Sequence, residues 1–180
     1  VMGLLRSRDQ IVKDVLTGLN NRRAFMNYCL NHLAHHPDSE LCLIMLDLND
    51  FKSINDRYGH VAGDRALLDA ASALKRTCAQ APCHLFLCRY GGDEFLLAGI
   101  NCTQADVEKT IALVKTNLRK ANERGTEPYT LEISCGVSQG RGSDESDIEA
   151  LLAMADSAMY EDKLREKKNR ATENGKEEFA

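Results

Sequence analysis

The chain has 180 residues, enough for one domain around one hydrophobic core. Its 43% hydrophobic and 28% charged residues are ordinary for a soluble globular fold. A net charge of -4 argues against a nucleic acid polymer or an anionic membrane as partner, since both call for a basic surface. A nucleotide substrate stays open, because bound metal ions invert local electrostatics.

Residues 1–13 read as a helical lead-in, the end of a stalk, with Leu5 and Val12 set among charges. Asn20 or Asn21 can cap a helix to about Leu33, with Phe25, Cys29 or Leu30, and Leu33 on one face. Leu41–Leu46 is an unbroken apolar run that stops at Asp47, the pattern of a central strand buried on both faces. A loop is expected through Gly59 and Gly63, after which Asp64 opens a helix to about Cys78 with Leu67, Leu68, Ala71 and Leu74 inward. Leu85–Tyr90 and Phe95–Ile100 flank Gly91-Gly92-Asp93-Glu94 as a β-hairpin. Thr103–Lys120 is helical by its Val107, Ile111, Val114, Leu118 stripe, and Leu131, Ile133, Cys135 and Val137 alternate as a strand. Ser146-Asp147-Ile148-Glu149 reads as a capping box opening a last helix to about Lys168, and Ala171–Ala180 as a frayed polar tail. The order α-β-α-β-β-α-β-α contains a split βαβ pattern. The expected class is α/β (α+β): a mainly antiparallel sheet with helices over one or both faces.

Seven cysteines occur, none in a C-x-x-C pair; Cys42, Cys88 and Cys135 sit in apolar runs. They read as small buried hydrophobes of a reducing compartment, not zinc ligands. His32, His35 and His36 before Pro37 read as a solvated helix end. The longest apolar run falls far short of the roughly 20 residues of a membrane span. With no signal peptide in view, a cytoplasmic domain is expected, and Val1 at the start points to a piece of a longer protein.

Two constellations carry chemistry. In Asp47-Leu48-Asn49-Asp50-Phe51-Lys52 an acid ends a buried strand, and the loop after it offers backbone N–H groups and a lysine, which together can hold a cation and a phosphate. Alone, such an aspartate is more often a cap. In Arg89-Tyr90-Gly91-Gly92-Asp93-Glu94-Phe95 two carboxylates share a tight turn, a useful arrangement if a divalent metal neutralises them. Alone, such a turn is more often a plain polar tip. Together they can bring Asp47 and Asp93 to one metal pair, the two-metal logic of nucleotidyl transfer.

The string RYGGDEF at Arg89–Phe95 resembles the signature of the GGDEF family, the diguanylate cyclases. Further landmarks agree in order and spacing: Asp14 to Arg23 (DVLTGLNNRR), Phe51 to Asp56 with Tyr58-Gly59-His60 and Gly63-Asp64, and Ala155 to Tyr160 followed by Lys163. The match runs from about Asp14 to Arg170. The resemblance implies a fold akin to adenylyl cyclase domains and polymerase palms, ferredoxin-like, with the signature on a hairpin. It implies that Asp47, Asp93 and the Leu48 carbonyl bind metal, with Glu94 the neighbouring signature acid. Asn55 and Asp64 correspond to the readers of the guanine edge, a polar discrimination that can be large. Lys52, Lys163, Lys167 and the backbone near Asp50 and Phe51 correspond to the phosphate cradle, and Lys52 can also stabilise developing charge. Two Mg²⁺ ions per site are implied, with Mn²⁺ as a substitute. The implied reaction condenses two GTP into cyclic di-GMP with loss of two pyrophosphates, across a homodimer in which each protomer holds one GTP. Asp93 or a metal-bound hydroxide takes the proton. An upstream sensor domain is implied for the full-length protein. A second function remains open, a non-catalytic module that holds GTP or cyclic di-GMP.

Three departures from the family pattern stand out. Asn49 replaces a second acid, and Glu166-Lys167-Lys168-Asn169 replaces the usual Gly-Arg-Asn after Lys163. Pro82-Cys83-His84-Leu85 stands where the family carries an Arg-x-x-Asp product-inhibition motif, so inhibition by cyclic di-GMP through that stretch is not expected.

Overall fold

The computed structural model describes residues 12–177, with side chains through residue 169. The expected lead-in helix over residues 1–13 thus lies almost wholly outside the described residues. The chain runs β1 (Asn20–Asn21), α1 (Arg22–His35), β2 (Glu40–Leu48), α2 (Phe51–Tyr58), α3 (His60–Gln80), β3 (Leu85–Arg89), β4 (Glu94–Ile100), α4 (Gln104–Arg124), β5 (Ile133–Arg141) and α5 (Glu145–Glu177). The five strands order as β1-β3-β4-β2-β5. β2 is antiparallel to both β4 and β5, β3 is antiparallel to β4, and the short β1 joins β3 in parallel. This is the mainly antiparallel α+β sheet expected from the split βαβ pattern.

Alternation along β2 builds two cores. Cys42, Ile44, Leu46 and Leu48 face one way, with Leu67, Leu74, Val114 and Leu118 of α3 and α4. Leu41, Leu43 and Met45 face the other, with Phe25 and Cys29 of α1 and Ile148, Leu152 and Met159 of α5. Helices on both faces explain why the strand reads as a continuous apolar run. The hydrophobic stretch ends where β2 leaves the core, and Asp47, Leu48 and Asn49 are all buried at that edge.

Four expectations need correction. No loop separates residue 58 from Asp64: α3 begins at His60, and Gly59, at φ 87°, is only the joint between α2 and α3. Leu68 is 43% exposed, because α3 packs through Leu67, Ala70, Ala71 and Leu74 instead. The last helix opens at Glu145, not Ser146; Asp144 accepts from Asp147 N, while the Asp147 carboxylate accepts from Ser143 N and Oγ. It continues to Glu177, through most of the stretch read as a tail. α4 reaches Arg124, stabilised at its start by the Thr103–Asp106 capping box. Asn21 caps α1 by accepting from Ala24 N at 3.0 Å.

The hairpin turn is tied to the chain's beginning. Arg89 donates through Nε and Nη2 to Gly92 O at 3.1 and 2.7 Å, and through Nη1 to Asp14 Oδ1 at 3.0 Å. Asp14 also accepts from Thr17 N and Oγ1. Partial burial raises the Asp14 carboxyl, but the Thr17 hydrogen bonds and the Arg89 guanidinium outweigh it and leave the group below its ordinary value. A depressed carboxylate stabilises the fold above its unfolded pKa and ceases to do so as pH falls through its folded pKa. Asp14→Asn is therefore expected to cost about 1–2 kcal/mol at neutral pH, with the gap to the parent closing below about pH 4, read by urea unfolding across pH.

Candidate active site

Asp47 lies in register with Glu94 on β4 and with Ser134 on β5, so the end of β2 is flanked by the hairpin on one side and β5 on the other. The Leu48 N–H donates to the Asp93 carbonyl at 3.1 Å, which fixes the signature turn against the strand end. Asp93 and Glu94 are both half-buried. The first acid, Asp47, is 8% exposed and accepts from Lys163 Nζ at 2.5 Å. Lys163 arrives there because α5 presses Ile148, Leu152, Ala155 and Met159 into the core, and position 163 continues that stripe one turn on.

The electrostatics match the geometry. Burial raises the Asp47 carboxyl and the Asp93 and Asp156 charges raise it further, against the pull of Lys163. Glu94 is raised by burial first, then by Asp47, Asp93 and Asp156. Burial would lower Lys163, but the hydrogen bond and charge of Asp47, with Asp93 and Asp50 beyond, leave it raised. This is a cluster of crowded acids with Lys163 among them, an arrangement that a divalent cation would relieve. Among the described residues no three His, Cys, Asp or Glu side chains form a ready-made metal cluster; Asp47 is neutralised by Lys163. The donor types, carboxylates and a strand-end carbonyl, are those hard cations take.

Beyond the strand, Asp50 adopts φ 56°, ψ 25°, a left-handed turn that aspartate tolerates better than most residues. It swings the chain from β2 into α2. Phe51 is half-buried at the first position of α2, and exposed Lys52 follows; Asp50, Lys52, Ser53, Asp56 and Arg57 line an open depression of about 760 Å³. Asn55 of α2 meets the α3 backbone one residue before Asp64. A Cβ at Gly63 would sit 2.0 Å from Asn55 Oδ1, so the amide lies directly against the backbone that carries Asp64. Lys167, one turn beyond Lys163, is exposed.

Three contributors, Asp156, Asp14 and Glu166, were not identified from the sequence as parts of a site. Asp156 lies seven residues before Lys163, hence on the same face of α5, and its charge reaches both Asp47 and Glu94. Asp14 and Arg89 clamp the turn. Glu166 meets Asn49: Asn49 Nδ2 donates to Glu166 Oε2 at 2.7 Å, and Ser134 Oγ donates to Asn49 Oδ1 at 2.7 Å. Two of the three departures from the family pattern are thus one interaction. Asn49→Asp would set two carboxylates at hydrogen-bond distance; a loss of about 1–3 kcal/mol is expected at neutral pH, restored by adding Glu166→Gln. Equal unfolding midpoints for Asn49→Asp and the parent would contradict the pairing.

Comparison with known proteins agrees with this geometry. The family profile described as "Diguanylate cyclase, GGDEF domain" matches residues 11–170, and the chain belongs to the GGDEF domain family. It is 37% identical over 150 residues to the cyclic di-GMP phosphodiesterase PdeR of Escherichia coli K12, covering 82% of this chain and 22% of that protein. It is 33% identical over 162 residues to the diguanylate cyclase DgcP of the same organism, covering 88% and 46%. The diguanylate cyclase SiaD of Pseudomonas aeruginosa, solved with its activator SiaC, superposes with TM-score 0.74 at 30% identity, over 86% of this chain and 59% of that one. The chain spans less than half the length of these two curated relatives.

Proposed function

We propose that the chain is a working diguanylate cyclase domain: it condenses two GTP into cyclic di-GMP and two pyrophosphates, across a homodimer, without product inhibition through Pro82–Leu85. The observation that carries this reading is the meeting of Asp47, at the buried end of β2, with the Asp93–Glu94 turn, where the Asp93 charge adds to burial in raising the Asp47 carboxyl and the Asp47 and Asp93 charges add to burial in raising Glu94. Asp47, Asp93 and the Leu48 carbonyl would hold two Mg²⁺, or Mn²⁺ in their place. Bound there, such ions would supply a lowered pKa for the attacking 3′-hydroxyl and charge neutralisation for the leaving pyrophosphate.

The chain's own groups do the rest. The first-turn amides of α2, around Asp50 and Phe51, donate to phosphate oxygens. Lys52 and Lys167 add positive charge beside them, Lys167 as a point charge without an arginine's fork. Lys163, paired with Asp47 here, would be free to serve the phosphates where that carboxylate holds metal. Asn55 and Asp64 pair with the guanine edge, whose N–H donors suit a carboxylate. Asp93 accepts the hydroxyl proton as the oxygen attacks the α-phosphorus of the partner protomer's GTP. The domain works in the cytosol, under a sensor elsewhere in the full-length protein.

A second reading has an observation of its own. The similarity to PdeR, a relative named as a phosphodiesterase, fits a domain that binds GTP or cyclic di-GMP and regulates without turnover. Incubation with GTP and Mg²⁺ separates the two. Cyclic di-GMP with two equivalents of pyrophosphate supports the cyclase; saturable GTP binding with neither product overturns it in favour of the regulatory module.

A further inference from the structure

Three thiols gather at the opposite end of the hairpin from the signature turn: Cys83 and Cys102, with Cys42 of β2 hydrogen-bonded to Cys102. Cys83 sits just before β3 and Cys102 just after β4, nineteen residues apart in the chain, with their sulfurs 3.2 Å apart. The contact is built rather than incidental. A Cβ at position 99 would stand 2.3 Å from Cys102 Sγ, so the thiol occupies space that only a glycine there leaves open. Gln139 Nε2 donates to the Cys102 carbonyl at 2.9 Å and pins its backbone from β5. Cys102 is buried, whereas Cys83 is partly open to solvent.

We propose that Cys83 and Cys102 form an oxidisable dithiol whose disulfide closes the base of the hairpin carrying the GGDEF turn. A small-molecule disulfide, such as oxidised glutathione, is the oxidant. The Cys83 thiolate attacks one of its sulfurs; that S–S bond breaks, and one glutathione thiolate leaves and takes a proton. The Cys102 sulfur, losing its proton to solvent, then attacks Cys83 Sγ and expels the second glutathione. Two protein thiols are oxidised and one disulfide is reduced to two thiols. Burial pushes the Cys102 thiol far above its ordinary range, which leaves Cys83 as the point of first attack. The 3.2 Å contact means closure needs a sulfur shift of little more than an ångström.

The test uses the whole chain with excess oxidised glutathione at mildly alkaline pH, followed by proteolysis and mass spectrometry without reductant. The expected product is a pair of peptides joined through Cys83 and Cys102, two hydrogens lighter than their sum, released by dithiothreitol and absent from Cys83→Ser. Glutathione retained on Cys83, a bridge to Cys42 or Cys78 instead, or thiols that all remain open to alkylation after unfolding would each overturn the proposal.

Discussion

Replacing Asp93 with asparagine is expected to lower cyclic di-GMP synthesis by about a thousandfold while leaving the fold intact. The fold survives because Asp93 contributes its backbone to the structure: its carbonyl accepts from Leu48 N, and asparagine keeps that bond. What disappears is the charge. The side chain is half-buried beside Asp47 and Glu94, where its negative charge raises both neighbours. Without it the proposed metal pair loses a ligand and the 3′-hydroxyl its proposed proton acceptor. Asp93→Glu retains a carboxylate one methylene further out and is expected to recover measurable turnover. Product chromatography with pyrophosphate release gives the readout, and undiminished turnover by Asp93→Asn would remove the residue from the chemistry. Asp47→Asn should fail comparably, and the double variant should be scarcely worse than either single one, because both acids serve one site.

The largest effect on stability is expected far from the acids, at Gly136 of β5. A Cβ there would stand 2.0 Å from the Ala155 carbonyl oxygen and 2.1 Å from Met159 N. Both are helix backbone, and neither can rotate aside. Gly136→Ala must therefore push α5 off the sheet, at a cost of about 3 kcal/mol. The same shift carries Lys163, one turn past Met159, away from Asp47, so activity should fall with stability. Urea unfolding measures the first effect, and an unchanged midpoint would mean the helix does not lie as close as described.

Much of this architecture could be read from the residues. The apolar run of β2 ending at Asp47, the hairpin around Gly91-Gly92 and the stripe of α4 are local patterns, and each appears where expected. The misreadings have a common source in contacts between distant segments. Two glycines within five residues resembled a loop, yet Gly63 is there to let Asn55 approach, a requirement that no local pattern encodes. Leu68 looked like core because it follows Leu67, but α3 turns that position to solvent. Asn49 and Glu166 looked like separate losses from a motif, 117 positions apart, and are hydrogen-bonded to each other. A signal for Glu166 was present: with Lys163 it continues the inward stripe of α5 past its last apolar residue, where charged groups must find partners. Asp14 is similar, a motif residue whose purpose appears only once Arg89 reaches it.

Convergence of Asp47 and Asp93 on divalent metal bound with GTP is tested by a crystal structure with Mn²⁺ and a non-hydrolysable GTP analogue, the metal located by anomalous scattering. The expected result is manganese ligated by both carboxylates, Lys163 withdrawn from Asp47 onto the phosphates, and the base between Asn55 and Asp64. Metal and nucleotide bound elsewhere, with the Lys163–Asp47 pair still closed, would contradict it.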